Sequence, residues 1–260
     1  MWQIYLNALP GKVMRAFFFL REYFFPFGCS VCGVDLVDLE ETWYGLCGEC
    51  RAKIERELGE SRACATCDSC GKPLISEHVR CLSCRNGEDH IFDKVTVLFP
   101  YTGKYRQLLA AYKFNKNLAL ANFFISEIKN EIECRSMPID AGILPGMSIV
   151  PVPPRPGKIR KTGWDQVEFL VRLLEKTAKN TDVLPVNRCL KRLPSQSQKE
   201  LGLKNRLTNL KGRIVPVRKV PKIAVVIDDV MTTGSTLDAC AAALKEAGAE
   251  KVYGLCLFYD

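Results

Sequence analysis

Residues 222–236 constrain the fold of this chain more than any other stretch. Positions 222–227 show no alternation of apolar and polar side chains, which predicts a strand that is covered on both faces, as in a parallel sheet. Asp228 and Asp229 follow this strand, and from Leu237 onward apolar residues recur at helical spacing. The stretch therefore predicts a strand, a turn and a helix of an α/β protein.

The predicted turn is short and rich in hydroxyl groups. Its members Thr232, Thr233, Gly234, Ser235 and Thr236 would lie at a helix N-terminus, where unpaired N–H groups and the helix dipole favour an anion. Ligands of open α/β sheets collect at the carboxyl ends of strands, where the two aspartates would lie. We expect the carboxylates to bind sugar hydroxyls and an accompanying metal, and the turn to bind a phosphate. The alternative is an ordinary polar turn of a βαβ crossover.

The first third of the chain carries four Cys-x-x-Cys pairs. A two-residue gap lets a tight turn aim both thiolates at one ion, and two such pairs complete a tetrahedral site. The pairs are Cys29 and Cys32, Cys47 and Cys50, Cys67 and Cys70, and Cys81 and Cys84. Eight ligands suffice for two structural Zn²⁺ ions, joined either consecutively or in a cross-braced order. Cys64 has the same spacing from Cys67, and His78 and His90, which we interpret as solvated loop residues, could replace a thiolate.

Other functions of these cysteines are disfavoured. Redox catalysis usually needs one Cys-x-x-Cys pair on a βαβ scaffold, and a closed four-thiolate site leaves a zinc ion no position for water. Zinc is therefore expected to supply folding free energy to a region that cannot build a core alone. The isolated cysteines are predicted to be core residues, and they are Cys134, Cys189, Cys240 and Cys256.

The charge of the chain is unevenly distributed. The formal net charge is +8, with −3 in residues 1–90 and +11 in the remainder. The basic surface thus belongs to the same part of the chain as the predicted phosphate turn, which suits a polyphosphate substrate or nucleic acid.

No segment is expected to span a membrane. The apolar residues 13–27 are interrupted by Arg15, Arg21, Glu22 and Pro26, so they predict an amphipathic helix that packs on a neighbour, with membrane-surface binding as the alternative. No signal peptide is expected, which predicts a reducing, cytoplasmic location and agrees with cysteines that bind metal.

The middle of the chain alternates between strand and helix patterns. Strands are predicted at 92–101, 148–152 and 251–258, and helices at 103–112, 118–132 and 164–174. A basic loop follows the second strand, and its Pro and Gly residues exclude a continuous helix. Its cations are Arg155, Lys158, Arg160 and Lys161, and a pyrophosphate is the predicted ligand, with a solvated surface loop as the alternative.

Residues 224–236 resemble the 5-phosphoribosyl-1-pyrophosphate (PRPP) signature of type I phosphoribosyltransferases. Because this signature is joined to four cysteine pairs, the chain resembles the ComF family of bacterial competence-related proteins. Residues 151–153, 163–166 and 198–209 add to the resemblance. The resemblance implies an α/β fold: a parallel-sheet, Rossmann-like phosphoribosyltransferase domain at 91–260. An N-terminal helix and a double zinc-ribbon domain would occupy residues 1–90.

The resemblance also implies roles for individual residues. Asp228 and Asp229 would hold the ribose hydroxyls, directly or through Mg²⁺ and water, and residues 232–236 would hold the 5′-phosphate. Arg206 would bind pyrophosphate, and Gln198 or Asn209 would orient it, the alternative being helix surface and capping.

The chain departs from the family pattern in one turn. Thr162 and Asp165 stand where the family usually has Arg and Asn, and Lys161 is the candidate for the missing charge.

The implied function is transfer of a phosphoribosyl group to an unknown base or amine, linked to DNA uptake. No residue can be named as the general base. Two alternatives stay open: a sensor that binds PRPP without turnover, and a single-stranded-DNA-binding accessory of the competence helicase machinery. Type I transferases are often dimers, so a homodimer is a further expectation.

Overall fold

A computed structural model describes residues 28–62, 64–74, 76–87, 89–133, 146–177, 184–194 and 212–260. In chain order, the elements of these residues are α1 (Leu39–Tyr44), α2 (Gly48–Arg62), α3 (Leu82–Arg85), β1 (Lys94–Pro100), α4 (Gly103–Lys113), α5 (Leu120–Glu133), β2 (Met147–Pro151), α6 (Lys158–Thr162), α7 (Gln166–Thr177), β3 (Leu190–Arg192), β4 (Ile214–Pro216), β5 (Ile223–Met231), α8 (Ser235–Glu246) and β6 (Lys251–Tyr259). The predicted N-terminal helix, Cys134, Gln198, Arg206 and Asn209 lie outside the described residues.

Four parallel strands form the main sheet, in the order β1-β6-β5-β2. Val225 and Ile227 of β5 pack in one hydrophobic cluster with α4, α5 and α7. Ala224 and Val226 pack in a second cluster with α8. Because both faces of the sheet are covered, the strand has no polar face, and the prediction of a doubly covered parallel sheet is confirmed.

The cysteine-bearing turns pack against this sheet. Leu46 and Ile54 belong to the cluster on the α4 side, and Leu74 belongs to the cluster on the α8 side. Gly71 has a φ of +69°, and a Cβ there would lie 2.3 Å from the Val95 carbonyl oxygen of edge strand β1. The turn after Cys70 therefore lies directly against β1, an edge strand that would otherwise offer unpaired backbone groups.

The predicted end of β5 was wrong. Asp228 and Asp229 lie inside the strand, because β6 continues to pair with it as far as Met231 and Tyr259. Strand β2 stops earlier, and its last registered pair joins Pro151 to Ile227. The acidic doublet therefore lies where β5 has lost its neighbour on the β2 side but keeps β6.

The basic loop contains a short helix that was not predicted, although no continuous helix runs through it. Helix α6 spans Lys158–Thr162 and is flanked by Gly157 and Gly163, both in left-handed conformations. The glycines stand at its ends and the prolines precede it, so neither interrupts the five helical residues.

In the part of the chain that the structure describes, no helix is both long and apolar enough to cross a membrane.

Candidate functional site

Asp229 is the centre of a buried ionic cluster. Its side chain accepts a hydrogen bond from Lys113 Nζ at 2.9 Å and another from Gln166 Nε2 at 2.5 Å, both on Oδ2. The backbone N–H of Val230 donates to Oδ1 at 3.0 Å. Asp229 is 9% exposed, so these three contacts take the place of water.

The pKa values of the two acids of the doublet are shifted in opposite directions. Burial would raise the pKa of Asp229, but the charge and hydrogen bond of Lys113, with Gln166, lower it overall. Burial raises the pKa of Asp228 well above its usual value, and the negative charge of Asp229 adds to the effect. The buried charge of Asp229 is thus balanced by Lys113.

The cluster extends to the basic loop. Lys158 Nζ donates to Gln166 Oε1 at 2.5 Å and to Asp165 Oδ2 at 2.6 Å. Lys158 thus supplies the charge beside Asp165, whereas Lys161 lies exposed on α6. Polar contacts run without a gap from Asp229 through Gln166 to the basic loop.

Sequence reasoning gave no role to Lys113, which is 116 positions from Asp229. Lys113 ends the helix that follows β1, and no local sequence motif there indicates a functional residue. Gln166 belongs to the turn that resembles the ComF pattern, and that resemblance was the available signal for its position.

The hydroxyl turn lies at the N-terminus of α8. Gly234 is the N-cap residue with a φ of +73°, and no side chain caps the helix. Thr232 and Thr233 are exposed, and Ser235 and Thr236 are partly exposed. The first N–H groups of the helix and four hydroxyls therefore face a region that solvent reaches, as an anion would require.

His90 lies beside this turn, and its interpretation as a solvated loop residue was wrong. Its Nδ1 is 2.8 Å from Asp238 Oδ2, and its ring stacks on Phe92 with centroids 4.4 Å apart. Asp238 Oδ1 accepts the backbone N–H of Ile91 at 2.7 Å. A Cβ on Gly234 would lie 2.8 Å from His90 Cε1, so the turn needs glycine both for its conformation and for this close approach. His78 is exposed, as predicted.

A basic groove of about 740 Å³ lies beside the doublet rather than on it. The β2–α6 loop and α6 form one wall, with Arg155 and Arg160, and β3 forms the other, with Lys191 and Arg192. Burial lowers the pKa of Arg192, and the neighbouring charge of Arg155 contributes. The groove is an electropositive surface that suits an anion with several charges.

The cysteines form two clusters. The Sγ atoms of each set lie within 4.8 Å of one another, and the sets are Cys29, Cys32, Cys47 and Cys50, and Cys67, Cys70, Cys81 and Cys84. Two Sγ pairs, Cys32 with Cys47 and Cys70 with Cys81, are 3.7 Å apart. A Zn–S bond of about 2.3 Å places ligands about 3.8 Å apart in a tetrahedron. Both clusters therefore fit structural zinc, and the pairing is consecutive.

In each cluster, backbone N–H groups lower the pKa of one thiol, which favours the thiolate that binds a metal. Burial would raise the pKa of Cys29, but N–H groups, first that of Cys32, lower it to about 7. Cys67 behaves in the same way, with a pKa of about 7, and accepts the N–H of Cys81 at 3.3 Å. Cys64 is exposed and stands outside the second cluster.

No family model matches the chain. It is similar to Competence protein F of Haemophilus influenzae, with 25% identity over 242 residues that cover 88% of this chain and 95% of the relative. It is also similar to Competence protein ComFC of Streptococcus pneumoniae, with 26% identity over 80% of this chain and 84% of the relative. Competence protein ComFC of Bacillus subtilis is 24% identical over 78% of this chain and 79% of the relative. These relatives support a ComF-family protein.

The ComF-family resemblance spans both halves of the molecule, because an alignment over 88% of the chain cannot omit the cysteine turns or the sheet. The structure places the doublet near the end of β5 and the hydroxyl turn at the start of α8, and it connects Lys113, Gln166 and Lys158 to Asp229. The predicted roles of Gln198 and Arg206 fall on residues that the structure does not describe.

Proposed function

We propose that this ComF-family protein binds PRPP at the acidic doublet and the hydroxyl turn, and transfers its phosphoribosyl group to a base or an amine. One observation carries the proposal. Asp229 is a buried acid near the end of β5 that pairs with Lys113. The N-terminus of α8, which solvent can reach, follows only a few residues later, after the β5–α8 connection. Such a connection offers acceptors for sugar hydroxyls and donors for a phosphate over a short distance.

The chain's own residues act mainly by position and charge. Asp229, held in place by Gln166, would accept hydrogen bonds from the ribose hydroxyls and fix the ring. As the bond between the anomeric carbon and pyrophosphate breaks, positive charge develops on the ring, and the adjacent carboxylates stabilise it. The acceptor nitrogen forms the new bond to that carbon and loses its proton to a base that we do not assign. The turn would retain the 5′-phosphate throughout.

The residues present fit a magnesium ion. Two carboxylates next to hydroxyl groups form an oxygen donor set of the kind Mg²⁺ accepts, and phosphates of the substrate usually complete it. Asp228 and Asp229 would hold the ion, which when bound would neutralise the charge of the leaving pyrophosphate.

The competence role rests on the relatives. All three carry competence in their names, and they cover most of the chain. They support a competence-related role. We propose that this role is linked to DNA uptake and that the protein acts in the cytoplasm.

The test combines calorimetry with a turnover assay. Wild-type protein should bind PRPP in the presence of Mg²⁺, and Asp229→Asn, nearly equal in size, should weaken binding by at least about tenfold. Release of pyrophosphate that depends on one acceptor from a panel of bases and amines would identify an enzyme. Binding without turnover would identify a sensor, and unchanged affinity in a folded Asp229→Asn protein would reject the site.

A second candidate function is suggested by the basic groove. Single-stranded DNA binds to positively charged grooves that follow its backbone, and four Arg and Lys side chains line this one. Anisotropy of a labelled oligonucleotide, measured against salt concentration, tests it. Arg155→Gln with Arg160→Gln should reduce both the affinity and its salt dependence, and an equal affinity would exclude the groove.

A further inference from the structure

Lys113 contacts the doublet from outside the β5–α8 connection. It is the last residue of α4, and its Nζ donates to Asp229 Oδ2, the same oxygen that Gln166 contacts. Its side chain is 31% exposed, whereas that of Asp229 is 11% exposed. The lysine therefore reaches from the surface to close the ionic cluster.

The backbone beneath Lys113 is fixed. The preceding residue, Tyr112, is fully buried, and its hydroxyl donates to the Gln166 carbonyl oxygen at 2.7 Å. A flexible four-carbon side chain on a fixed base can move its ammonium by several ångströms while the helix stays in place.

The residues that follow Lys113 contact the basic loop. Lys116, three residues further along, donates to the Thr162 carbonyl oxygen of α6 at 3.2 Å. The chain after Lys113 thus touches the helix of the basic loop, where pyrophosphate is proposed to bind.

Ligand hydroxyls and Lys113 compete for one oxygen. A sugar that hydrogen-bonds to Asp229 Oδ2 must displace a donor, and Gln166 is held on its other side by Lys158. Lys113 is the donor that solvent reaches, so it is the one able to leave. Once displaced, its ammonium group is free to pair with an anion of the ligand.

We propose that Lys113 is an exchangeable cation: it neutralises Asp229 in the ligand-free protein and moves to the pyrophosphate when the sugar hydroxyls take its place. This inference rests on the proposed function. Lys113 would therefore distinguish PRPP from ribose 5-phosphate, because only PRPP carries an anion at the anomeric position.

Calorimetry with two probes tests the inference. Lys113→Met, which keeps the length and removes the charge, should weaken Mg-PRPP binding by at least about tenfold. Its affinity for ribose 5-phosphate should stay equal or rise, because nothing then competes for Asp229. Lys104→Met is the matched control, since Lys104 begins the same helix and pairs with Glu57 instead. It should bind both probes as the wild type does.

Any other pattern in a folded Lys113→Met protein overturns the inference. An equal loss for both probes would show a merely structural lysine, and an unchanged affinity for Mg-PRPP would show that it does not reach the pyrophosphate. If Lys113→Met does not fold, Lys113→Gln, which can still donate to Asp229, serves for the same comparison. A wild type that binds neither probe would overturn the proposed function itself, and this inference with it.

Discussion

The two cysteine clusters have the same four thiol ligands and the same spacing within each pair, but their surroundings differ. The first packs into the larger core, where Cys29 and Cys47 are buried in one cluster with Leu46, Ile54 and Phe99. The second lies among turns and the four-residue helix α3, and Cys67 and Cys70 pack towards the α8 side of the sheet. The first cluster thus stabilises the core. The second anchors a linker, residues 89–93, which leads from the cysteines to β1.

That linker packs against the proposed phosphate turn and the helix α8 that follows it. His90 and Ile91 are bound by Asp238 of α8, and Lys245 Nζ donates to the Ile91 carbonyl oxygen at 2.7 Å. We therefore propose that zinc stabilises the core at the first cluster and positions the proposed phosphate turn at the second.

The largest effect is expected from loss of the first cluster. Cys29→Ser should leave one zinc per chain and lower the free energy of unfolding by more than about 5 kcal/mol, because structural zinc sites contribute folding energy outright. Metal analysis and thermal denaturation measure the two quantities. A fully stable variant with one zinc would contradict the assignment of this cluster to the core.

Loss of the second cluster should have a different signature. Cys67→Ser should also leave one zinc but unfold at a higher temperature than Cys29→Ser. Its affinity for ribose 5-phosphate should fall by about tenfold, because the linker no longer holds His90 against Gly234. If the two variants lose stability and affinity to the same extent, the contrast between the clusters is wrong.

The docking of the linker can be tested without touching a metal ligand. Asp238→Ala removes the partners of His90 Nδ1 and of the Ile91 N–H, which should cost about 2 kcal/mol of unfolding free energy. Urea denaturation measures the loss, and Glu246→Ala, at the exposed end of the same helix, is the control. Both zinc ions should stay bound, and loss of one would mean that Asp238 supports the cluster itself.

The smallest effect concerns Glu57, which joins α2 to α4. Hydrogen bonds from Lys104, first, and Tyr105 lower its pKa. Since the folded pKa is depressed, the stabilisation is present above the unfolded pKa of about 4.3 and is lost as the pH falls through the folded pKa.

Glu57→Gln should therefore cost about 0.5 kcal/mol at neutral pH, a small value because the side chain is 37% exposed, and the difference should vanish at an acidic pH below the folded pKa of Glu57. Urea denaturation at the two pH values is the measurement. A difference that persists in acid would assign the effect to packing.

The sequence predicts local structure well and long-range contacts poorly. The strand, turn and helix around residues 222–246 follow from side-chain periodicity, apart from the end of β5, which is set by its pairing with β6. The eight zinc ligands follow from spacing, but their pairing does not, because consecutive and cross-braced orders use identical pairs. The contacts of Asp229 with Lys113 and of His90 with Asp238 join residues more than 100 positions apart, and no local pattern encodes them.

A crystal structure of the zinc-loaded protein with PRPP and Mg²⁺ tests the central claim most directly. We predict the 5′-phosphate within hydrogen-bonding distance of the N–H groups and hydroxyls of residues 232–236, and the ribose hydroxyls at Asp228 and Asp229. A ligand bound elsewhere, with Lys113 still paired to Asp229, would contradict the account.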